Sequence, residues 1–258
     1  MGGYKVISSI FLSLALLFLS STSSPTTNAA TFSKSNNAQK ARKKHATTAR
    51  LTRAEVKEAE QLLADKGYKR NDNSARSAFM LFQKWQGRKV TGRLTADEFE
   101  AIKNADPLQP KDTGYRHVEV DLDRQLFLLI DEEGSVKKIL PVSTGSNRRY
   151  HEKGMRGLAY TPRGRFRIYS KLSGWRKSPL GLLYYPNYFS DGLAIHGNPS
   201  VPDTPQSHGC IRIPMSAAGY VSRQLPVGTI VLIYDNQSFV SAKDWAEADK
   251  QKREAAVR

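Results

Sequence analysis

The chain's single cysteine, Cys210, lies two residues after His208 and fourteen after His196, in the run AIHGNPSVPDTPQSHGCIRIP at 194–214. A thiol attacks a carbonyl only as its thiolate, and near neutral pH it needs a neighbouring base or cation to reach that form. The two histidines are the candidates. His208 and Cys210 share one face of an extended segment, yet a side chain two positions along the chain is poorly aimed to take a proton and later return it to a leaving group. His196 arrives from a separate stretch and can face the sulfur freely. Gly209 permits a positive φ or a close approach of substrate backbone, and the amides around Gly209 and Cys210 would form an oxyanion hole. Arg212, on the Cys210 face if the segment stays extended, offers a guanidinium fork to a substrate carboxylate. Two other readings of these residues stay open. Cys210 could be a small buried hydrophobe, or His196, His208 and Cys210 could hold zinc, with Asp191 and Asp203 as the further candidate ligands.

These side chains need rigid mounts. His196 ends the apolar run Leu193, Ala194, Ile195, where a strand gives way to a loop, and NPSVPDTPQ then carries three prolines that restrict φ. From residue 115 the pattern is that of strands. Val118, Val120 and Leu122 alternate with Glu119, Asp121 and Asp123, Leu126–Ile130 is an apolar run before a DEEG turn, and RFRIYS, GLAIHG and TIVLIY follow. One helical interruption falls near Met215–Leu225. The expected fold is therefore mostly β with a short helix, preceded by a small three-helix domain. The latter is read from Thr52 with Glu55 at capping-box spacing, from Ala78, Phe79, Phe82 and Trp85 near one face, and from Thr95 with Glu98 opening a third helix.

Lys5 followed by the apolar run Val6–Ser20 and a small-residue exit near Ala30 has the order of a secretory signal, with an uncleaved anchor as the alternative. The expected layout is signal 1–30, basic disordered linker 31–50, helical domain 51–105, linker 106–114, β-rich domain 115–235 and a helical tail 236–258. Export excludes nucleic acid as the natural partner and makes an unpaired cysteine noteworthy. Net charge is +16, and seven basic residues with no acid precede residue 51. That suits anionic polymers or a membrane surface outside the cytoplasm, or simply a solvated tail. Between Arg148 and Lys177 ten Lys or Arg meet one acid, Glu152, a stretch that could face anionic polymers or substrate carboxylates. SNRRYHEKGMRG within it reads as an exposed loop, with a flap over the cleft as the alternative. His117 reads as a surface residue on a polar strand face, His45 as solvated, and Trp175, Tyr184, Tyr185 and Tyr188 equally as core or cleft.

The string IHG followed by SHGCIR resembles the signature of the L,D-transpeptidase (YkuD) catalytic domain. PVSTGS at 141–146 and TPRGRFRI at 161–168, which keeps a TPxGxF pattern, extend the likeness over about residues 115–235. The resemblance implies a YkuD-like β-sandwich with Cys210 as acylated nucleophile, His196 as base, and the Gly197 carbonyl as the group that orients it. Ser207, His208, Gly209 and Arg212 match the supporting part of the motif. It further implies cross-linking of peptidoglycan stem peptides, donor and acceptor, through a cysteine thioester in the periplasm or cell wall, with no cofactor and no metal. L,D-carboxypeptidase trimming of tetrapeptide stems and a non-catalytic wall-binding role are the alternatives. The loop between the two motif histidines is shorter than in many members. Residues 78–102 resemble the second half of a type 1 peptidoglycan-binding domain, at Phe82, Gln83, Thr91 and Gly92, without the family's Gly-rich loop.

Overall fold

The structure, a computed structural model, describes residues 50–68 and 75–236. The expected signal, the basic linker short of Arg50, with its His45, and the tail beyond Asn236 lie outside those residues. Three helices come first: α1 (Arg53–Asp65), α2 (Ala75–Trp85) and α3 (Ala96–Asn104). Thr52 caps α1 through a complete capping box with Glu55, and the Thr95 hydroxyl accepts the Glu98 amide to start α3. Strands β1 (His117–Asp121), β2 (Leu126–Ile130), β3 (Val136–Pro141), β4 (Arg149–Glu152), β5 (Met155–Leu158) and β6 (Gly164–Arg167) follow. Then come β7 (Ser170–Lys171), β8 (Trp175–Ser178), β9 (Gly181–Ser190), β10 (Leu193–Asn198) and β11 (Ile211–Pro214). Helix α4 (Met215–Gln224) and β12 (Ile230–Tyr234) complete the order.

The fold is mostly β with a short helix. One sheet runs β3-β2-β1-β12-β6, and β12 pairs parallel with β1. The other runs β11-β10-β9-β7 with β8 also on β9, while β4 and β5 form a separate hairpin. Val118, Val120, Phe127, Leu129, Val231 and Ile233 pack with Ile195, Ile211 and Ile213 in the core between the sheets. The opposite face of β2 and β3 carries Leu126, Leu128, Ile130 and Ile139, which share a second core with Leu63, Phe82 and Ile102 of the helices. Burial on both faces explains why LFLLI shows no alternation.

β1 alternates in residue type but not in exposure, since His117, Glu119 and Asp121 are buried as fully as its valines. The surface role expected for His117 is therefore corrected. The linker closes over this polar face: the amides of Lys111 and Asp112 donate to the Glu119 carboxylate at 2.9 and 2.8 Å, and the Tyr234 hydroxyl donates at 3.0 Å. The His117 ring bridges the Tyr115 carbonyl at 2.8 Å and Glu119 at 3.2 Å. A buried carboxylate without such partners would cost several kcal/mol, so this network and its cover form together.

Candidate active site

Strands β10 and β11 run parallel with Ile195 opposite Ile211 and His196 opposite Arg212. Cys210 stands one residue ahead of β11, and the Ala194 amide donates to its Sγ at 3.4 Å. Because side chains alternate along a strand, this register sends the isoleucines into the core and turns Cys210, Arg212 and His196 to the other face. All three line one cavity of about 480 Å³, together with Ser207, His208 and Tyr188.

His196 lies inside β10 rather than at its end, and a bulge aims it. Ile195 pairs with Asn187 and Gly197 with Tyr184, so two residues of β9, Tyr185 and Pro186, stand opposite His196 alone. Tyr185 takes the left-handed region with φ 49°, and Pro186 has no amide to give to the ladder. The Asn187 side-chain amide covers the gap by donating to the carbonyls of Tyr185 at 2.8 Å and Ile195 at 3.3 Å. Its oxygen accepts the Ser222 hydroxyl of α4 at 3.0 Å.

The imidazole is 2% exposed. Its Nδ1 lies 2.9 Å from the Gly197 carbonyl, which can only accept, so the ring proton sits on Nδ1 and Nε2 keeps its lone pair. Burial, opposed by that bond and aided by the Arg212 charge, lowers the His196 pKa to about 4. Burial also raises the Cys210 thiol above its ordinary range, while the Ala194 amide and Arg212 pull it back. Both directions favour the neutral thiol and the neutral imidazole over a preformed ion pair.

The SHGC turn is held by side chains from distant segments. The Ser207 hydroxyl donates to the Cys210 carbonyl at 2.6 Å and accepts the Gly209 amide at 3.0 Å. That amide is thus committed, which removes one of the two donors expected for an oxyanion hole and leaves the Cys210 amide. Thr161 donates to the Gly209 carbonyl at 2.7 Å and accepts the Gly145 amide at 2.8 Å. Ser143 exchanges backbone bonds with Arg212 at 3.1 Å each way, and the Thr144 carbonyl accepts the Ser207 amide at 2.9 Å. Gly209 needs to be glycine twice over, with φ 136° and a Cβ that would stand 2.7 Å from the Tyr160 carbonyl oxygen.

His208 is engaged by the hairpin: its Nε2 lies 3.4 Å from Glu152 and its ring packs edge-on against Tyr150 at 4.7 Å. The segment expected as an exposed loop is thus the β4–β5 hairpin, whose Tyr150 and Met155 help line the cavity. Two arginines of the basic stretch are committed within the protein. Arg163 pairs with Asp235, and Arg165 donates to the Tyr115 hydroxyl at 3.2 Å. Asp203 pairs with Lys84 at 2.9 Å. Of the four aromatics left open by the sequence, Tyr188 lines the cavity, while Trp175 is exposed and stacks on Tyr184. Burial raises the Tyr188 phenol, and both Arg176 and Cys210 act on it. Sequence reasoning gave Tyr188 and Thr161 no defined role; the TPxGxF string was the signal that could have singled out Thr161.

Residues 115–233 match the model of the L,D-transpeptidase catalytic domain, YkuD. Among solved structures, an L,D-transpeptidase from Xylanimonas cellulosilytica is 33% identical with a TM-score of 0.62, over 70% of this chain and 93% of that one. An L,D-transpeptidase from Stackebrandtia nassauensis is 20% identical with a TM-score of 0.44, over 73% of this chain and 95% of that one. One from Mycobacterium smegmatis is 21% identical with a TM-score of 0.38, over 46% of this chain and 58% of that one. No curated protein matches the chain.

Proposed function

This chain belongs to the L,D-transpeptidase family, and on that premise we propose that Cys210 and His196 cross-link peptidoglycan stem peptides through a thioester. The observation that carries the reading is the shared face of β10 and β11, which puts the thiol, the Nε2 lone pair of His196 and the Arg212 guanidinium on one cavity. As Sγ attacks the donor carbonyl at the L-centre of the diamino acid, Nε2 takes the thiol proton. The Gly197 carbonyl stabilises the imidazolium through Nδ1–H, and the Cys210 amide faces the developing oxyanion. Collapse breaks the amide bond, His196 gives its proton to the departing D-Ala amine, and the stem remains as a thioester on Cys210. An acceptor amine then attacks; His196 takes its proton and returns it to sulfur as the C–S bond breaks. Arg212 holds a stem carboxylate during both steps.

Incubation of the enzyme with a disaccharide tetrapeptide, read by mass, tests this. The expected products are a cross-linked dimer and a Cys210-bound acyl adduct formed with loss of one D-Ala, both lost in Cys210→Ser. Turnover retained in that variant sinks the reading, and tripeptide without dimer shifts it to carboxypeptidase trimming.

The same reading extends to the rest of the chain. The signal-like first thirty residues support export to the periplasm or cell wall, and the basic residues before residue 51 support contact with anionic wall polymers or membrane surface. Residues 51–105 are proposed as a peptidoglycan-binding module. In its favour, the Gln83 side chain accepts the amides of Thr91 and Gly92 at 2.8 and 2.9 Å, which joins three of the four motif positions in one turn.

A further inference from the structure

A second cavity, of about 520 Å³, opens where the C-terminal ends of β10 and β11 meet α2. Its walls are proline-rich and mixed, with Met80, Val201, Pro202 and Met215 beside the polar Lys84 and Asp203, and no aromatic ring lines it. Two positive features converge there. Lys84 of α2 has its side chain only 5% exposed, and its ammonium lies 2.9 Å from an Asp203 carboxylate that is 52% exposed at the rim. Helix α4 begins at the same wall behind Pro214 and has neither a side-chain cap nor an acid in its first turn, so nothing in that turn offsets the positive end of its dipole. An ammonium has three protons, and one rim carboxylate does not use them all. Asn198 lines this cavity and the Cys210 cavity alike, so the two adjoin two residues beyond His196.

We propose that this cleft, built jointly by α2 and the β-rich fold, is a second binding site for a carboxylate-bearing peptide stem, held beside the Cys210 cavity. The chemistry selects a peptide over a glycan. Sugar rings are gripped by flat aromatic platforms, which are missing here, whereas Met, Val and Pro walls suit alanine-type side chains and a buried ammonium suits a carboxylate. Asp203 competes with the ligand for Lys84, so it acts as a gate on affinity. A stem docked here raises the local concentration of a second strand near the thioester. The identification of the ligand as a wall stem rests on the function proposed above.

The test is a calorimetric titration of the full chain as Cys210→Ala with a soluble tetrapeptide stem, L-Ala-γ-D-Glu-diamino acid-D-Ala. Two sites are expected. Adding Lys84→Met should weaken one of them at least about tenfold and leave the other. Adding Asp203→Asn should instead tighten that site several-fold. A Lys84–Asp203 pair that only braces the loop predicts the same direction for both variants, and that result overturns the proposal. So does a single site indifferent to Lys84→Met, or Lys84-dependent binding of the disaccharide lacking a peptide. Thioester formation on the unsubstituted enzyme is read separately. A thioester with one-site binding overturns this inference and spares the Cys210 mechanism; two-site binding with the expected variant effects but no thioester does the reverse.

Discussion

The His196 ring illustrates how burial decides function and stability together. Its folded pKa of about 4 lies below the ordinary histidine value, so the unfolded chain binds a proton that the folded one refuses. Stability from this group is intact above pH 6.5 and declines as pH falls toward 4, by about 3 kcal/mol over that window. Denaturant titrations at a series of pH values should show that slope, and His196→Gln should flatten it. The acid limb of turnover should likewise lie near pH 4 rather than 6.5, because the base stays unprotonated until then. Thr161 makes a second residue-scale case. Thr161→Val keeps the shape but strands the Gly145 amide and the Gly209 carbonyl, and should cost about 2–4 kcal/mol of stability. A fall in activity beyond that explained by unfolding would show that the Cys210 turn has loosened. The spacing of SHGC and IHG made Cys210, His196 and Arg212 legible as a group. The hold of Thr161 on Gly209 was not, because it spans 48 residues and depends on strand order that local pattern does not encode.

At the scale of elements, the site depends on how closely α4 lies against β10. A Cβ at Gly197 would stand 2.7 Å from the Ala218 Cβ and 3.1 Å from the Tyr184 ring. Gly197→Ala should therefore push helix and strand apart, at a cost of about 1–3 kcal/mol by thermal unfolding. It should also reduce the rate of Cys210 acylation, since the displaced strand is the one that carries His196. Period-2 alternation in HVEVD and the unbroken LFLLI run were enough to predict strands. They could not show what lay on either face. His117 was misread for that reason, since a polar strand face signals water unless a partner segment covers it, and here the cover is the Lys111–Tyr115 linker.

Across the whole molecule, the helices and the β-rich fold do not have separate interiors. Leu126, Leu128, Ile130 and Ile139 are fully buried, and their packing partners include Leu63, Phe82 and Ile102. A fragment starting at residue 115 would present that sheet face to water as a contiguous apolar patch. It should bind a hydrophobic dye and aggregate, where the full chain should do neither; a soluble, monomeric, dye-silent fragment would show that the helices are dispensable for folding. The sequence placed a linker at 106–114 from its Pro and Asp content, and composition alone does not reveal that the flanking segments share a core.

The position of β12 has a consequence for biogenesis. The last strand among the described residues is an interior member of its sheet, flanked by β1 on one side and β6 on the other. A nascent chain cut short before Ile230 leaves both neighbours with open edges and a core without Val231 and Ile233. Folding of the β-rich part thus waits until β12 has been made, and termination just before that strand should yield material for proteases rather than a weakened enzyme.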